Sequence, residues 1–440
     1  MNKIFVKDLE NYFDQSITID GFVDNIRDLQ YVQFLILRDS TGKLQITIEK
    51  NNTNSVLNEI VSNLTMESTI KVEGKLLKSE KVKLGGKELI PSNIIVTSTS
   101  LPELPIDLKD KDKSLRETRL DYRFLDLRRE ENNLFFKCET LFEQAMREYW
   151  TSNEYIEIHS PKISGASAES GAEVFKLDYF GEKACLSQSP QFYKQMAMAA
   201  GFDKVFEIGP AFRAENSHTS YHATEINMAD VEVSWIDSVE DVMDEEENML
   251  RYVFNKLRDT YGDKIKEVFG VEISDPTNAF PRVTFVEAKR ILKEEFKYVG
   301  EKEEDFERKE EELMCQYAKD KYNSDFIFIT KFPFSARPFY HMLDEDGLTN
   351  SYDLLFKGLE ITTGAQREHH YGILKQQVIE KGINPDTLDF YLDFFKYGCP
   401  PHGGFAIGLA RVMMQMFEID NIREATFVYR GPTRLTPWLL

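Results

Sequence analysis

Cysteine is scarce: four residues among 440, none in a CxxC pair, are too few for a disulfide framework and wrongly spaced for a four-thiolate zinc site. Long apolar runs are lacking too. No stretch approaches the ~20 apolar residues that a membrane span needs, and the opening MNKIFVKDLENYFD carries too many charges for a secretory signal. The expectation is a soluble, cytoplasmic protein with no membrane partner. The two commonest phosphate-cradling loops, GxxxxGKS/T and GxGxxG, are also missing, so any nucleotide chemistry must be built another way. Basic charge is in deficit, 54 Lys and Arg against 75 Asp and Glu for a net of −21. That excludes blanket attraction to nucleic acid, which leans on phosphate neutralisation.

What is present divides unevenly. Residues 1–100 carry 12 basic and 13 acidic side chains, and the remainder 42 and 62. Lys78, Lys81, Lys83 and Lys87 cluster in the near-neutral part. A chain of this length suits two or three domains. The segments Ser16–Val23, Val32–Arg38, Leu44–Glu49, Thr69–Leu76 and Leu89–Thr97 read as short strands separated by turn signals, with a helical stretch Val56–Leu64 after the third. Five strands with a helix in that place is the order of an OB barrel; a plain docking barrel fits the pattern equally well. A charged segment with DLKDKDK reads as a linker.

Beyond it, Leu134, Phe135, Cys138, Leu141, Phe142, Ala145 and Tyr149 recur at helical spacing. Residues 155–235 read as strands, and Ser238 with Asp241 as a capping box opening another helix. Glu301–Lys319 reads as a charged, solvated helix, Asp325 onward as strands, and Leu409–Phe417 as a closing helix with core methionines. Strands in hairpins rather than βαβ units make this region α+β with an antiparallel sheet.

Three segments offer nucleotide chemistry. In Val205–Glu215, strand alternation puts Arg213 and Glu215 on one face, a guanidinium for phosphate and a carboxylate for an exocyclic amine. His222, in the polar loop that follows, could reach a terminal phosphate. A surface ion pair beside a neutral histidine explains these three equally well. In Ser351–Arg367, a two-residue turn at Lys357-Gly358 would pair 355 with 360 and 353 with 362. Asp353 and Glu360 then share a face ~7–8 Å apart, a gap that Mg²⁺ could bridge. In Gly403–Arg411, Gly404 and Gly408 allow close approach, and Arg411 could stack on a base; a buried strand–helix turn would account for the same glycines.

Taken together and in order, the segments GFVDNIRDLQYVQFLILRDSTGKLQITI, RFLDLRR, SQSPQFYKQ, FRAENSHTSYHATE, YDLLFKGLEITTGAQR, PPHGGFAIGLAR and RLTP resemble the class II aminoacyl-tRNA synthetases, within them the aspartyl-tRNA synthetases of the archaeal and eukaryotic type. The resemblance implies an OB-fold anticodon-binding domain over 1–103, a linker over 104–130 and a class II catalytic domain over 131–440. It implies activation of L-aspartate with ATP and transfer to the 3′ end of tRNA(Asp), with tRNA(Asn) open as a second acceptor. Arg213 would hold the α-phosphate, Glu215 the adenine amine, His222 the outer phosphates, and Arg411 would stack on the adenine beside Gly408. Asp353, Glu360 and Thr363 would ligate Mg²⁺. Lys194 and Arg367 would embrace the side-chain carboxylate, with Gln191 beside them and Glu169 and Asp230 on the α-ammonium. Asparaginyl enzymes lack that lysine, because a neutral amide does not offset the desolvation of an ammonium. Phe34 would stack on the middle anticodon base, with Gln45 on the next strand, and Pro161 would lie at the interface of a homodimer. Ala410, Tyr221, Tyr429 and Gly431 depart from the family pattern. They keep two rivals open, an aspartate-activating paralogue with another acceptor and a non-catalytic RNA-binding regulator.

Overall fold

The computed structural model describes residues 3–165 and 173–436, and the chain divides into two compact units, Met1–Lys113 and Ser114–Leu440. In the first, β1 (Ser16–Asp28), β2 (Val32–Arg38), β3 (Lys43–Glu49), β4 (Thr69–Lys78) and β5 (Lys87–Ser98) form, with α1 (Ser55–Ser62) after β3. They close into a barrel of order β1-β2-β3-β5-β4, the OB arrangement. The two-residue period turns Leu35, Leu37, Leu44, Ile46 and Val72 inward, all fully buried. Gln33 is the polar exception; its Nε2 donates to Ser62 Oγ at 2.9 Å and ties α1 to the barrel.

The second unit runs α2 (Arg116–Asp121), α3 (Arg123–Asp126), α4 (Glu130–Ser152), β6 (Ile156–Glu157), β7 (Ile163–Ser164), β8 (Lys176–Tyr179), β9 (Glu182–Leu186), α5 (Gln191–Ala199), β10 (Lys204–Phe212), β11 (Glu225–Ser234) and α6 (Val239–Phe269). It continues through β12 (Arg282–Thr284), α7 (Phe285–Glu294), α8 (Arg308–Tyr322), β13 (Phe326–Thr330), β14 (Ser351–Phe356), β15 (Leu359–Arg367), α9 (Tyr371–Glu380), α10 (Asp389–Lys396), β16 (His402–Gly408) and α11 (Leu409–Met416). Among the described residues, eight strands make one sheet of order β12-β13-β14-β15-β16-β11-β10-β6. Its middle is antiparallel as expected. The edge pairs β12–β13 and β10–β6 are parallel, because crossovers rather than hairpins deliver these short strands.

One face of the sheet is roofed by α4 and α6. Phe142 and Trp150 from α4 and Val253 and Phe254 from α6 pack on Phe206, Val231, Tyr352, Leu354, Phe405 and Ile407, each large side chain contributing about 1.5–3 kcal/mol of burial. The methionines at 413, 414 and 416 join this core. Residues of the other parity, among them Asp230, Glu232, Asp353 and Ala406, are left for the opposite face.

Three segments differ from the sequence reading. The strands expected over 155–235 are interrupted by α5, whose Gln-Phe-Tyr-Lys-Gln-Met-Ala-Met-Ala run is rich in good helix formers. The helix expected over Glu301–Lys319 starts only at Arg308, where Glu307 and Glu310 form a capping box, and Glu310 is buried on Lys289 at 2.8 Å rather than solvated. Within 104–130, read as a linker, α2 and α3 are tied to the C-terminal region by arginines: Arg123 donates to the carbonyls of Glu424, Thr426 and Phe427, and Arg434 pairs with Glu117 and Asp121. A string of charges looks like linker until its partners, some 300 residues on, are known.

Candidate active site

β10 and β11 pair in register from Lys204↔Val233 to Phe212↔Glu225. The strand ends at Phe212, one residue before Arg213 and earlier than the alternation implied. Past that end Arg213 N–H donates to Thr224 O at 2.9 Å and Ala214 N–H to Glu173 O at 3.1 Å, so Arg213 and Glu215 sit on an irregular but bonded segment. His222 Nδ1 lies against Thr219 Oγ1. Burial first, and then the charge of Arg411, lower its pKa from the usual histidine range, which favours a neutral ring.

The β14–β15 hairpin turns at Lys357-Gly358 as expected, with Leu355 opposite Glu360. The register then shifts by one residue, so Asp353 faces Thr363 rather than residue 362. This bulge has a chemical consequence. In an unbroken strand, 360 and 363 would project to opposite faces; here Thr363 Oγ1 lies 2.9 Å from Asp353 Oδ1 and 2.8 Å from Glu360 Oε1. A hydroxyl has one proton to give, so it serves one carboxylate and leaves the other facing a lone pair. Burial, with the charge of Glu360, pushes Asp353 up to about 6 even though Arg337 opposes the shift from 2.5 Å. Two carboxylates and a hydroxyl are hard oxygens of the kind that fit a divalent cation.

Sequence reasoning missed two neighbours of this set. Arg337 lies in an irregular segment without periodicity. Glu311, on the helix read as solvated, accepts from Glu360 N–H at 3.0 Å and is pushed up to about 7 by burial and by Glu360. Arg411, in the first turn of α11, then joins the two hairpins. Its Nη1 donates to Glu360 O at 3.2 Å and its Nε lies 3.4 Å from Tyr221 O, with Glu360 Oε2 at 3.6 Å.

At the other end the charges are deeply buried. Lys194 is only 2% exposed, which excludes a surface role. Its Nζ lies 3.1 Å from Asp230 Oδ1 and 3.4 Å from Glu232 Oε2. Arg367 Nε donates to Glu232 Oε1 at 3.0 Å and Nη2 to Gly404 O at 3.0 Å. Two cations thus meet on the two oxygens of one carboxylate. Burial would raise Glu232, but Arg367 and Lys194 hold its pKa below the usual range, whereas burial outweighs Lys194 at Asp230 and raises it. Gly404 is needed because a Cβ there would stand 2.0 Å from Val231 O and 2.3 Å from Glu232 Oε2. Glu232 was missed, although its i, i+2 spacing from Asp230 on a strand was a usable signal.

These groups border one cleft of about 550 Å³. Gln191, Arg213, Glu215, His222, Asp230, Glu360, Thr363, Arg367, Gly408 and Arg411 line it. Lys194 and Asp353 lie just beneath, through Asp230 and Thr363. Glu169 lies outside the described residues. Pro161 is exposed, as are Ile156 and Ile163 near it. On the barrel, Phe34 faces outward, half-buried and opposite Thr47, and Gln45 shares that outer face; β5, with Lys87 at its start, runs alongside β3. The departures from the family pattern are accommodated locally. The Tyr221 ring lies 5.6 Å from the Arg308 guanidinium, and Tyr429 donates to His222 O at 3.2 Å. A Cβ at Gly431 would meet the Tyr429 hydroxyl at 2.3 Å, so these two residues fit only as a pair.

Residues 115–429 match the tRNA synthetases class II (D, K and N), and residues 17–97 match the OB-fold nucleic acid binding domain. The chain belongs to this class II family. An aspartate–tRNA(Asp/Asn) ligase of Aeropyrum pernix is 40% identical over 424 residues, covering 96% of this chain and 95% of that one. An aspartate–tRNA(Asp) ligase of Pyrococcus abyssi is 40% identical over 425 residues, covering 96% of each. Among solved structures, the asparaginyl-tRNA synthetase of Pyrococcus horikoshii complexed with asparaginyl-adenylate superposes with a TM-score of 0.91 at 30% identity, covering 99% of this class II synthetase and 100% of its own chain. No helix among the described residues is long and apolar enough to cross a membrane.

Proposed function

We propose that the protein is an aspartate–tRNA ligase, joining L-aspartate to the 3′ end of tRNA(Asp) through an aspartyl-adenylate made from ATP. tRNA(Asn) is the second acceptor to which the Asp/Asn ligases among its relatives point. The observation that supports aspartate above all is the pair of buried cations, Lys194 and Arg367, converging at one end of the cleft. Arg213 and Arg411 line the other end, beside paired acids. An in-line displacement at phosphorus needs orientation and charge neutralisation rather than a nucleophilic side chain, and this arrangement offers those. Arg213 steadies the α-phosphate against the attacking carboxylate, Glu215 accepts from the adenine amine, His222 reaches the outer phosphates, and Arg411 stacks on the base. Gln191 stands beside Lys194, and Glu169 and Asp230 hold the amino acid at its ammonium end. Asp353, Glu360 and Thr363 would hold Mg²⁺, whose chemistry there is neutralisation of phosphate charge. Phe34 and Gln45 read the anticodon from a face bordered by lysines, in line with an OB fold that stacks bases on aromatic side chains. Exposed Pro161, flanked by exposed Ile156 and Ile163, supports a homodimer, and a cytoplasmic location belongs to the same reading.

ATP–pyrophosphate exchange driven by aspartate and by asparagine in separate reactions tests the core of this. Aspartate alone should support exchange, and chelating the metal should abolish it. Exchange with asparagine but not aspartate would overturn the reading. Exchange without charging of either tRNA would transfer the case to the paralogue with another acceptor.

A further inference from the structure

His341 lies on the segment between β13 and β14, is 1% exposed, and borders the cleft beside Arg367. No motif of the sequence pointed to it. Its backbone bridges that of Arg367, and its Nε2 is 3.1 Å from Arg367 Nη1. A guanidinium has donors only, so Nε2 must accept, and the single proton of a neutral ring then sits on Nδ1. Burial first, then the charges of Arg367, Arg337, Lys381 and Lys194, hold the imidazole neutral far below its usual range. Arg367 is therefore gripped on three sides, by Glu232 Oε1, Gly404 O and His341 Nε2.

Only one of those three acceptors is charged. At this end of the cleft, Lys194 and Arg367 are already matched by Asp230 and Glu232. A second carboxylate on Arg367 would satisfy its geometry as well as histidine does. It would also tip the local charge negative and repel an incoming acid. We propose that His341 is a positioning residue for amino-acid selection: by bonding Arg367 through a neutral acceptor, it fixes the guanidinium without setting a second negative charge beside it. The proposal rests on the assignment of this end of the cleft to the aspartate side chain.

The test is pyrophosphate exchange on the full chain, varying aspartate, asparagine and ATP in turn, for wild type, His341→Asn, His341→Leu and His341→Glu. The neutral amide of His341→Asn should keep the aspartate KM within about threefold of wild type, while His341→Leu raises it about tenfold with the ATP KM unchanged. His341→Glu should raise it further, roughly a hundredfold, and narrow the preference for aspartate over asparagine. A His341→Glu enzyme with the wild-type aspartate KM and preference overturns the proposal. So does an ATP KM that rises as much as the aspartate KM. If His341→Glu does not fold, equal aspartate KM values for His341→Leu and His341→Asn overturn it. A wild-type enzyme with no aspartate-dependent exchange would instead sink the functional reading on which this rests.

Discussion

The two ends of the cleft solve opposite problems with the same kinds of side chain. At the end holding Lys194, Arg367, Asp230 and Glu232, every one of the four is 3% exposed or less and already bonded to another. At the end holding Glu360, Thr363, Arg411 and His222, the side chains are only partly buried, and Thr363 is shared between two acids. Telling one amino acid from its near-isostere calls for rigid, desolvated charge. Holding a triphosphate, whose charge shifts as bonds break, calls for groups that can still be re-paired. On the proposed function, the first end would discriminate and the second accommodate.

The largest effect that could break this contrast is expected from Lys194→Leu. Truncating one partner of a buried charge pair costs binding about 2–5 kcal/mol, so kcat/KM for aspartate in exchange should fall roughly 30- to several-thousand-fold while the ATP KM stays near wild type. A matching loss for ATP would mean the two ends are not separate. Arg411→Ala should do the reverse on a smaller scale, raising the ATP KM about ten- to a hundredfold through lost charge-assisted and stacking contacts; a larger change in the aspartate KM would reverse the assignment. Phe34→Ala sharpens the comparison from the barrel. Losing a base stack of ~1–3 kcal/mol should cut tRNA charging about tenfold and leave exchange untouched, and slowed exchange would remove Phe34 from anticodon reading.

The smallest effect on activity is expected behind the sheet, where Tyr352 donates to buried Glu246 at 2.7 Å. Burial lifts that carboxyl to about 8 from an ordinary 4.5. The native state therefore keeps a proton that the unfolded chain releases, so the contribution of Glu246 to stability is full at acid pH and is lost as pH climbs from about 4.5 to about 8. Glu246→Gln should flatten that slope in thermal melts at pH 5, 6, 7 and 8, by an amount on the order of a few kcal/mol, with neither KM altered. A slope as steep as wild type would show that Glu246 is ionised in the native protein.

The barrel was legible because its strands alternate cleanly and its turns carry their own signals; β2 was read to the residue. That Arg213, Asp353, Glu360 and Arg411 lie near one another was legible in part from strand parity, although the strand ends before Arg213 and a bulge shifts Asp353 onto Thr363. The buried end was legible only in part. Lys194 and Arg367 came from the resemblance, while Glu232 and His341 take their meaning from pairings with Arg367, 135 and 26 positions away, and only Glu232, two residues from Asp230, had a local signal. Arg337 escaped for a different reason, sitting where the backbone has no period. The arginines of α2 and α3 were misjudged because a buried ion pair and a solvated charge look alike in one dimension.

The slipped register between Leu354 and Leu355 also says something about heredity. Ile361 is the extra residue there; before it Leu359 belongs to the helix-packed layer, and after it residues of the same parity, Thr363 and Arg367, look into the cleft. Losing Ile361 would restore plain alternation with both flanks still in register, whereas losing a residue between Thr363 and Arg367 would turn Arg367 away from the cleft. The hairpin thus tolerates a change of length at its bulge, but not along the strand that joins Thr363 to Arg367.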